Sequence, residues 1–500
     1  MYCSTAAIAV AIGPIDSLIV VAYLVATTLF GVYLGRGQAD NRDFFLGGHR
    51  LPTWALLVSI VATETSTVTF LSVPGKSFVD DGSFRFLQIA FGYILGRLAV
   101  IAFLLPGYFR GEMLSAYQVL EQRFGRTTRR LASLVFLITR NVADGLRLFL
   151  TALALNIALG IDMVPSIVIT TIATAIYSAA GGVRSVVWND CIQFAVYMLG
   201  ALAAAWLLLS QLPGGWDQLV AFGEATGRWR LFDFDLSLTT STMTFWSGLV
   251  GGAFLSLATH GVDQLIVQRY LCAQSRTAAS WALALSGIVV LAQFALFLFI
   301  GVELACFDSV TGGIGSDVAG DEALMSYVVN HMGIGLKGLI LAAVLSAAMS
   351  TLASSLNSSA SSLVGDWIAP MMPSLDEVRS LRLSRLLTLV FAAVQCGVAI
   401  GAYLLAVEQA MAIVDAVLKI AGFAIGLLLG LYGLGLLIPR APEWVALAAF
   451  AVGAAVTTYA VFATPLNGYW YTLVGSSTIV IMGLVLSLVF NQRGTAMNSH

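Results

Sequence analysis

Apolar runs of about twenty residues recur along this chain, separated by short polar stretches. A run of that length crosses the roughly 30 Å hydrocarbon core of a bilayer as one α-helix. The pattern predicts thirteen spans, near 15–35, 52–73, 85–108, 131–158, 163–180, 187–210, 243–264, 279–305, 336–364, 384–406, 410–438, 442–463 and 470–490. A membrane β-barrel would instead show segments of about ten residues with alternating polarity. The expected fold class is therefore an all-α polytopic membrane protein, one transmembrane domain over 1–500. The connections near 211–242 and 306–335 are the longest and are expected to carry short helices. Asp308 to Glu322 is rich in Gly and Asp and reads as an exposed loop.

Two spans break the apolar pattern. Span two contains Ala62-Thr63-Glu64-Thr65-Ser66-Thr67-Val68-Thr69, a run of hydroxyls around one carboxylate. Lipid cannot hydrogen-bond such groups, and an ionisable residue at that depth marks a functional site. Span seven is interrupted by Gly251, Gly252, Ser256, Thr259, His260 and Gly261. Polar breaks in corresponding helices of two halves point to an inverted-repeat transporter, with unwound backbone free to coordinate a cation. Close helix packing through the glycines is the plainer alternative.

Composition agrees: 59% of the 500 residues are hydrophobic, 10% are charged and the mean hydropathy is +0.90. The net charge of -2 carries no information, but its placement does. Arg36, Arg42, Arg50, Arg110, Arg123, Arg126, Arg129, Arg130, Arg184, Arg269, Arg276, Arg379, Arg382, Arg385, Arg440 and Arg493 fall on one side of the predicted topology; Lys76, Arg85, Arg228, Arg230 and Lys337 fall on the other. The richer side is expected to be cytoplasmic, which puts the N-terminus outside and the C-terminus inside. Residues 1–14 lack the basic start of a cleaved signal peptide. Five scattered cysteines have no metal-ligand spacing. Neither a Walker loop nor a dinucleotide fingerprint is present, so ATP-driven pumping loses its usual support.

Gly181-Gly182-Val183-Arg184-Ser185-Val186-Val187-Trp188-Asn189-Asp190-Cys191-Ile192-Gln193 resembles the GG-x-x-x-V-x-x-x-D-x-x-Q stretch of the sodium:solute symporter (solute carrier 5-like) family. Asp263 to Leu271 and Ser350 to Ser358 resemble two further segments of that family, in the same order. The resemblance covers essentially the whole chain and implies a LeuT-type fold. That fold would comprise a leader helix (15–35), a first five-helix repeat (52–210), an inverted second repeat (243–438) and two trailing helices (442–490). It also implies Na+ as coupling ion, held by the backbone carbonyls of Ala62, Thr65 and Ala347 and the hydroxyls of Ser350 and Thr351. Sodium is a hard cation suited to such oxygens. The plain alternative for Ser350 and Thr351 is hydrogen bonding within their own helix. Some family members hold a second sodium; the matching positions are Asp190, Ser350, Ala353 and Ser354, and Ala353 lacks the hydroxyl wanted there.

Glu64 departs from the family pattern. Three roles are open: help with sodium, carriage of a proton, or an ion pair with Arg147. Asp144 and Arg147 sit three apart on one helix face, with Arg140 two turns from Arg147. An Arg not consumed internally would suit a solute carboxylate, whereas a closed Asp144–Arg147 pair would only brace helices. By resemblance the solute pocket is lined by Ser66, Thr69, Gln88, His260 and Asp415. His260 would contact solute or be a satisfied core residue; Asp415 with Lys419 would form an i,i+4 salt bridge. Ser66, Thr69 and Gln88 have the spacing found in sialic-acid-transporting relatives, which tilts the expected solute towards an acidic sugar or other carboxylate, with neutral sugars and amino acids as the alternatives.

The function these observations predict is sodium-coupled symport of a small polar organic solute by alternating access, in the plasma or inner membrane. Its partners are the solute, sodium and the lipid bilayer, with no nucleic acid. A proton-coupled or uncoupled carrier and a solute sensor without turnover are the rivals. An enzyme is not expected: it would want a paired acid/base or nucleophile constellation, and of the four histidines only His260 sits in a span.

Overall fold

The computed structural model describes residues 13–36, 38, 40–111, 113–239, 243–315, 318–372, 374, 376–405 and 407–497. Fourteen helices carry the architecture: α1 (Pro14–Leu34), α2 (Thr53–Glu64), α3 (Thr67–Phe78), α4 (Gln88–Ala99), α5 (Arg126–Leu159), α6 (Met163–Gln211), α7 (Gly252–Gly261), α8 (Gln264–Leu271), α9 (Arg276–Thr311), α10 (Leu336–Leu363), α11 (Glu377–Leu404), α12 (Val407–Leu437), α13 (Glu443–Ala463) and α14 (Tyr471–Met497). Eight helical stretches are long and apolar enough to cross a bilayer, and two bent pairs bring the number to ten. Counting α5, α12 and both legs of α6 is compatible with the expected thirteen.

The bent pairs are the two interrupted spans. α2 and α3 meet at 63°, and the stretch ending in α7 meets α8 at 59°. The expected boundary between 180 and 187 is sharper in the structure: helix runs up to and away from Gly182 alone, at φ 52° and ψ -154°. A Cβ there would lie 2.3 Å from the Phe44 carbonyl oxygen, so only Gly fits. The short helices expected in the long connections are Gly215–Ala225 and Ala323–His331. Asp308–Thr311, expected in the loop, is instead the last turn of α9, which ends on left-handed Gly312. Asp308 stays useful beyond that end, because its carboxylate accepts from Ile314 N and Gly315 N.

α10 is the axis of the molecule. Its run of Ala, Ser and Leu is buried nearly throughout, whereas α1 and α11 keep much of their surface outward. Small side chains let α6, α5 and α2 close in on it, which is how membrane helices gain packing without a hydrophobic driving force. Asp16 fixes the leader helix to the start of α10 by accepting from Gly335 N and Gly338 N, each at 2.7 Å.

Candidate ion and solute site

The hydroxyl-rich run ends α2 and starts α3. Thr65 N makes the last helical bond, to Val61 O at 3.0 Å. Ser66 is extended (φ -97°, ψ 170°) and caps α3, its Oγ facing Thr69 N while its own N–H turns to Thr69 Oγ1. Ser66 N would have been the helical donor to Ala62 O, so the cap itself frees that carbonyl. The neighbouring Thr63 O accepts from Thr351 Oγ1 on α10 at 3.1 Å, and the same hydroxyl lies 3.4 Å from Ala347 O. The Thr63 carbonyl, the Ala347 carbonyl and the Thr351 hydroxyl thus meet beside the broken end of α2. This hard-oxygen donor set is the chemistry a sodium ion needs. The Thr65 side chain is engaged separately: Oγ1 exchanges hydrogen bonds with Gln293 of α9 at 2.9 and 3.2 Å.

Ser350 turns one position away from this cluster. Its hydroxyl donates to Asp190 Oδ1 at 2.6 Å, and Ser59 donates to Oδ2 at 2.5 Å. Ser354 lies 3.2 Å from Thr63 Oγ1. The position matched to a second sodium holds a side chain of the chain itself: Arg269 of α8 donates to Ser354 Oγ and lies 3.4 Å from Asp190 Oδ2. Asp190 therefore receives a fixed guanidinium.

Beside the break lies a narrow cleft with free room of about 10 Å³, space for about one water, lined by Ser66, Thr67, Arg147, Thr151, Thr351 and apolar neighbours. Arg147 reaches it from α5 and is about one-third exposed. Its NH1 bonds Asp144 Oδ1 at 2.7 Å, and Arg140 also holds Asp144, at 2.5 and 3.0 Å. Arg140 extends to Asp263, at the α7–α8 bend, at 3.5 Å. The expected Asp144–Arg147 pair is present, but it is one link in a four-charge chain.

Glu64 does not pair with Arg147. Its cation is Arg97 of α4, and His260 Nε2 stands 3.5 Å from the same carboxylate oxygen. A Glu64–Arg147 pair is thus corrected, because Arg147 is engaged by Asp144 on its own helix. Sequence reasoning missed Arg97 and Gln293; an Arg within an apolar span, which must find a buried carboxylate, was the available signal for the first.

The other candidates scatter. Gln88 is fully buried and bound to backbone: it donates to Arg85 O and Met243 O and accepts from Asp233 N. It pins the connection after α6 and is absent from the cleft lining. His260 Nδ1 faces Ser256 and Thr259. Thr69 serves the α3 cap beside Ser66. The Asp415 side chain, and with it the expected pair to Lys419, lies outside the described residues.

A broken span delivering oxygens to a neighbouring helix, a hydroxyl shared between that cluster and a polar cleft, and ion pairs across packed helices are the features of a secondary active transporter. The model of the sodium:solute symporter family matches residues 44–453, and the chain belongs to that family. It is 29% identical to the sodium/sialic acid symporter of Proteus mirabilis over 96% of both chains. It is also 29% identical to sodium-coupled monocarboxylate transporter 2 of Danio rerio, over 85% of this chain and 68% of that protein. Among solved structures it superposes on the substrate-bound outward-open state of a Na+-coupled sialic acid symporter with a TM-score of 0.86, 27% identity, and coverage of 95% and 98%. The chain is a sodium-coupled solute symporter of LeuT-type fold, a multi-pass membrane protein and not an enzyme.

Proposed function

We propose that this symporter moves one sodium with one organic carboxylate, an acidic sugar or a small monocarboxylate. The observation that carries the reading is Arg147. It lines the cleft among the hydroxyls of Ser66, Thr67, Thr151 and Thr351, and its side chain stays about one-third exposed after meeting Asp144. A planar fork of donors suits a carboxylate, and the relatives named above carry sialic acid and monocarboxylates. Sodium sits on Ala62, Thr65, Ala347 and Thr351, with Ser350 behind it. Thr351 belongs to both the ion cluster and the cleft lining, so ion and solute share a wall. Arg269 in the place of a second ion supports a stoichiometry of one. One sodium crossing 100 mV with a tenfold gradient releases roughly 3.7 kcal/mol, enough for accumulation on the order of 500-fold.

The chain lies in the plasma or inner membrane with its N-terminus outside and C-terminus in the cytoplasm, as the arginine distribution supports. Residues 52–210 and 243–438 form the inverted repeats between leader and trailing helices; the bends of α2–α3 and α7–α8 at corresponding places support that division. The test is uptake into proteoliposomes. Sialic acid and lactate are supplied separately, each with an inward sodium gradient or with potassium in its place. Sodium-dependent, saturable uptake of either, with a sodium Hill slope near one, is expected. Sodium dependence with only neutral solutes transported would overturn the carboxylate assignment. Acid-driven uptake without sodium would favour proton coupling through Glu64, a role its pairing with Arg97 argues against.

A further inference from the structure

We infer that Arg97 is the positioning residue of the sodium site, the hub that fixes the broken end of α2 and ties it to the helices packed around it. The inference rests on the sodium-site reading above. Arg97 is completely buried, in an apolar helix, yet each guanidinium nitrogen has a partner on a different element. NH2 holds Glu64, the last residue of α2. NH1 reaches Ser256 Oγ of α7 at 3.4 Å and Tyr93 O of its own helix at 3.3 Å. Nε donates to Ser286 Oγ of α9 at 3.1 Å. His260 of α7 closes the circuit on Glu64 at 3.5 Å.

Four elements are thereby joined at one side chain: α2, α4, α7 and α9. Two of them, α2 and α7, are the helices that stop at the bends. Where α4 and α7 cross, a Cβ on Gly96 would lie 2.4 Å from Ala253 O, so the backbones already touch there and leave little freedom to slide. The hub acts on the ion through geometry. Glu64 directly precedes Thr65 and lies two residues from Ala62, whose carbonyls belong to the sodium set. A helix end with released carbonyls is otherwise free to fray or to rewind. Anchoring the Glu64 side chain on a rigid, multiply bonded Arg holds the carbonyls in their unwound orientation. On this account Glu64 is neither sodium ligand nor proton carrier, and it influences sodium through Arg97. Lys would not replace Arg, because a single ammonium cannot reach acceptors on four elements at once.

The experiment reads sodium directly and solute separately. Sodium-induced thermal stabilisation is titrated in detergent for wild type, Arg97→Gln, Glu64→Gln, the double variant, Arg97→Lys and Ser286→Ala. Uptake of sialic acid and of lactate at saturating sodium gives the solute half-saturation and maximal rate. Arg97→Gln and Glu64→Gln should each raise the sodium half-saturation at least tenfold, with the solute half-saturation at saturating sodium moving less than threefold. The double variant should be no worse than either single one, since no unpaired charge is left buried. Arg97→Lys should stay impaired. Ser286→Ala, which removes one hydrogen bond and leaves the ion pair, should raise the sodium half-saturation two- to threefold. It also keeps the inference testable if the charge variants fail to fold: an unchanged sodium response in Ser286→Ala then overturns it. Equal losses for sodium and solute, or an unchanged sodium response in Arg97→Gln, overturn it as well. If wild type itself ignores sodium, the sodium-site reading falls instead, and the two failures are told apart by that control.

Discussion

Replacing Arg147 by Ala tests the solute assignment with little risk to the fold, because of how the charges around it are shared. Asp144 keeps two hydrogen bonds from Arg140 after the change, so no buried carboxylate is orphaned. A hydrogen bond involving an ionised partner contributes about 1.5–3 kcal/mol. Losing that to a solute carboxylate corresponds to about a ten- to hundredfold weaker affinity. A neutral solute in the same cleft forfeits at most an ordinary polar contact, worth about 1 kcal/mol or a fivefold change. The measurement is binding of sialic acid by calorimetry at saturating sodium, with the matching uncharged sugar alcohol as competitor. Arg140→Ala is the contrasting variant. It strips Asp263 of its cation, and breaking a buried pair costs about 3–5 kcal/mol, so that protein should lose thermal stability where Arg147→Ala does not. A parallel loss for charged and neutral solutes would refute the reasoning. So would rescue of Arg147→Ala by Asp144→Ala, because a brace is restored by removing both halves and a ligand is not.

The sodium cluster predicts an order among hydroxyl deletions. Thr351→Ala, which removes the group on Thr63 O, should raise the sodium half-saturation tenfold or more in uptake assays, and Ser350→Ala, which touches Asp190, distinctly less. Equal effects would place Ser350 on the ion as well, and an unchanged double variant would remove the site. A third expectation concerns acid stability at the connection that precedes α5. Burial alone would raise the Glu121 carboxyl, but the hydrogen bond and charge of Arg129, with Arg126, outweigh it and hold it below the usual range. A depressed carboxylate stabilises the fold above its ordinary value, about 4.3, and that stability is lost as pH falls through the lowered one. Thermal unfolding of Glu121→Gln should therefore fall less steeply than wild type below about pH 4; identical slopes would refute the pairing.

Both bends were legible in the sequence because a hydroxyl run and a Gly-Ser-Thr-His run have no place in a lipid-facing helix. The Gly181-Gly182 motif marked the break in α6 for a similar local reason, the need for a backbone angle only Gly adopts. What stayed hidden was tertiary. Glu64 and Arg97 lie on different helices, and nothing local to either announces the other. Gln88 has the spacing of a pocket residue, but spacing does not fix which way a side chain turns; here nearby backbone groups captured it. The role of Arg269 was masked by its place in a motif that reads as inner-loop charge. Only the packing of α8 against α2, α6 and α10 carries that guanidinium to Asp190.

The charges on α5 explain why the cleft has a sign. Arg147, Asp144, Arg140 and Asp263 form an alternating chain, positive to negative, with links of 2.7, 2.5 and 3.5 Å. Such a chain is neutral overall, which is how four ionisable groups are tolerated at this depth. Its two ends are not equivalent. The negative end is buried at the α7–α8 bend, where Asp263 also caps α8 by accepting from Leu265 N. The positive end is the one exposed to the cleft. An anionic solute extends the alternation by one member, whereas a cationic solute would place like charge against Arg147 and a neutral one would leave its donors to water. The proposed preference for a carboxylate therefore rests on the order of charges leading to the cleft, and reversing that order, by exchanging Asp144 and Arg147, should remove it even though the net charge of the helix is unchanged.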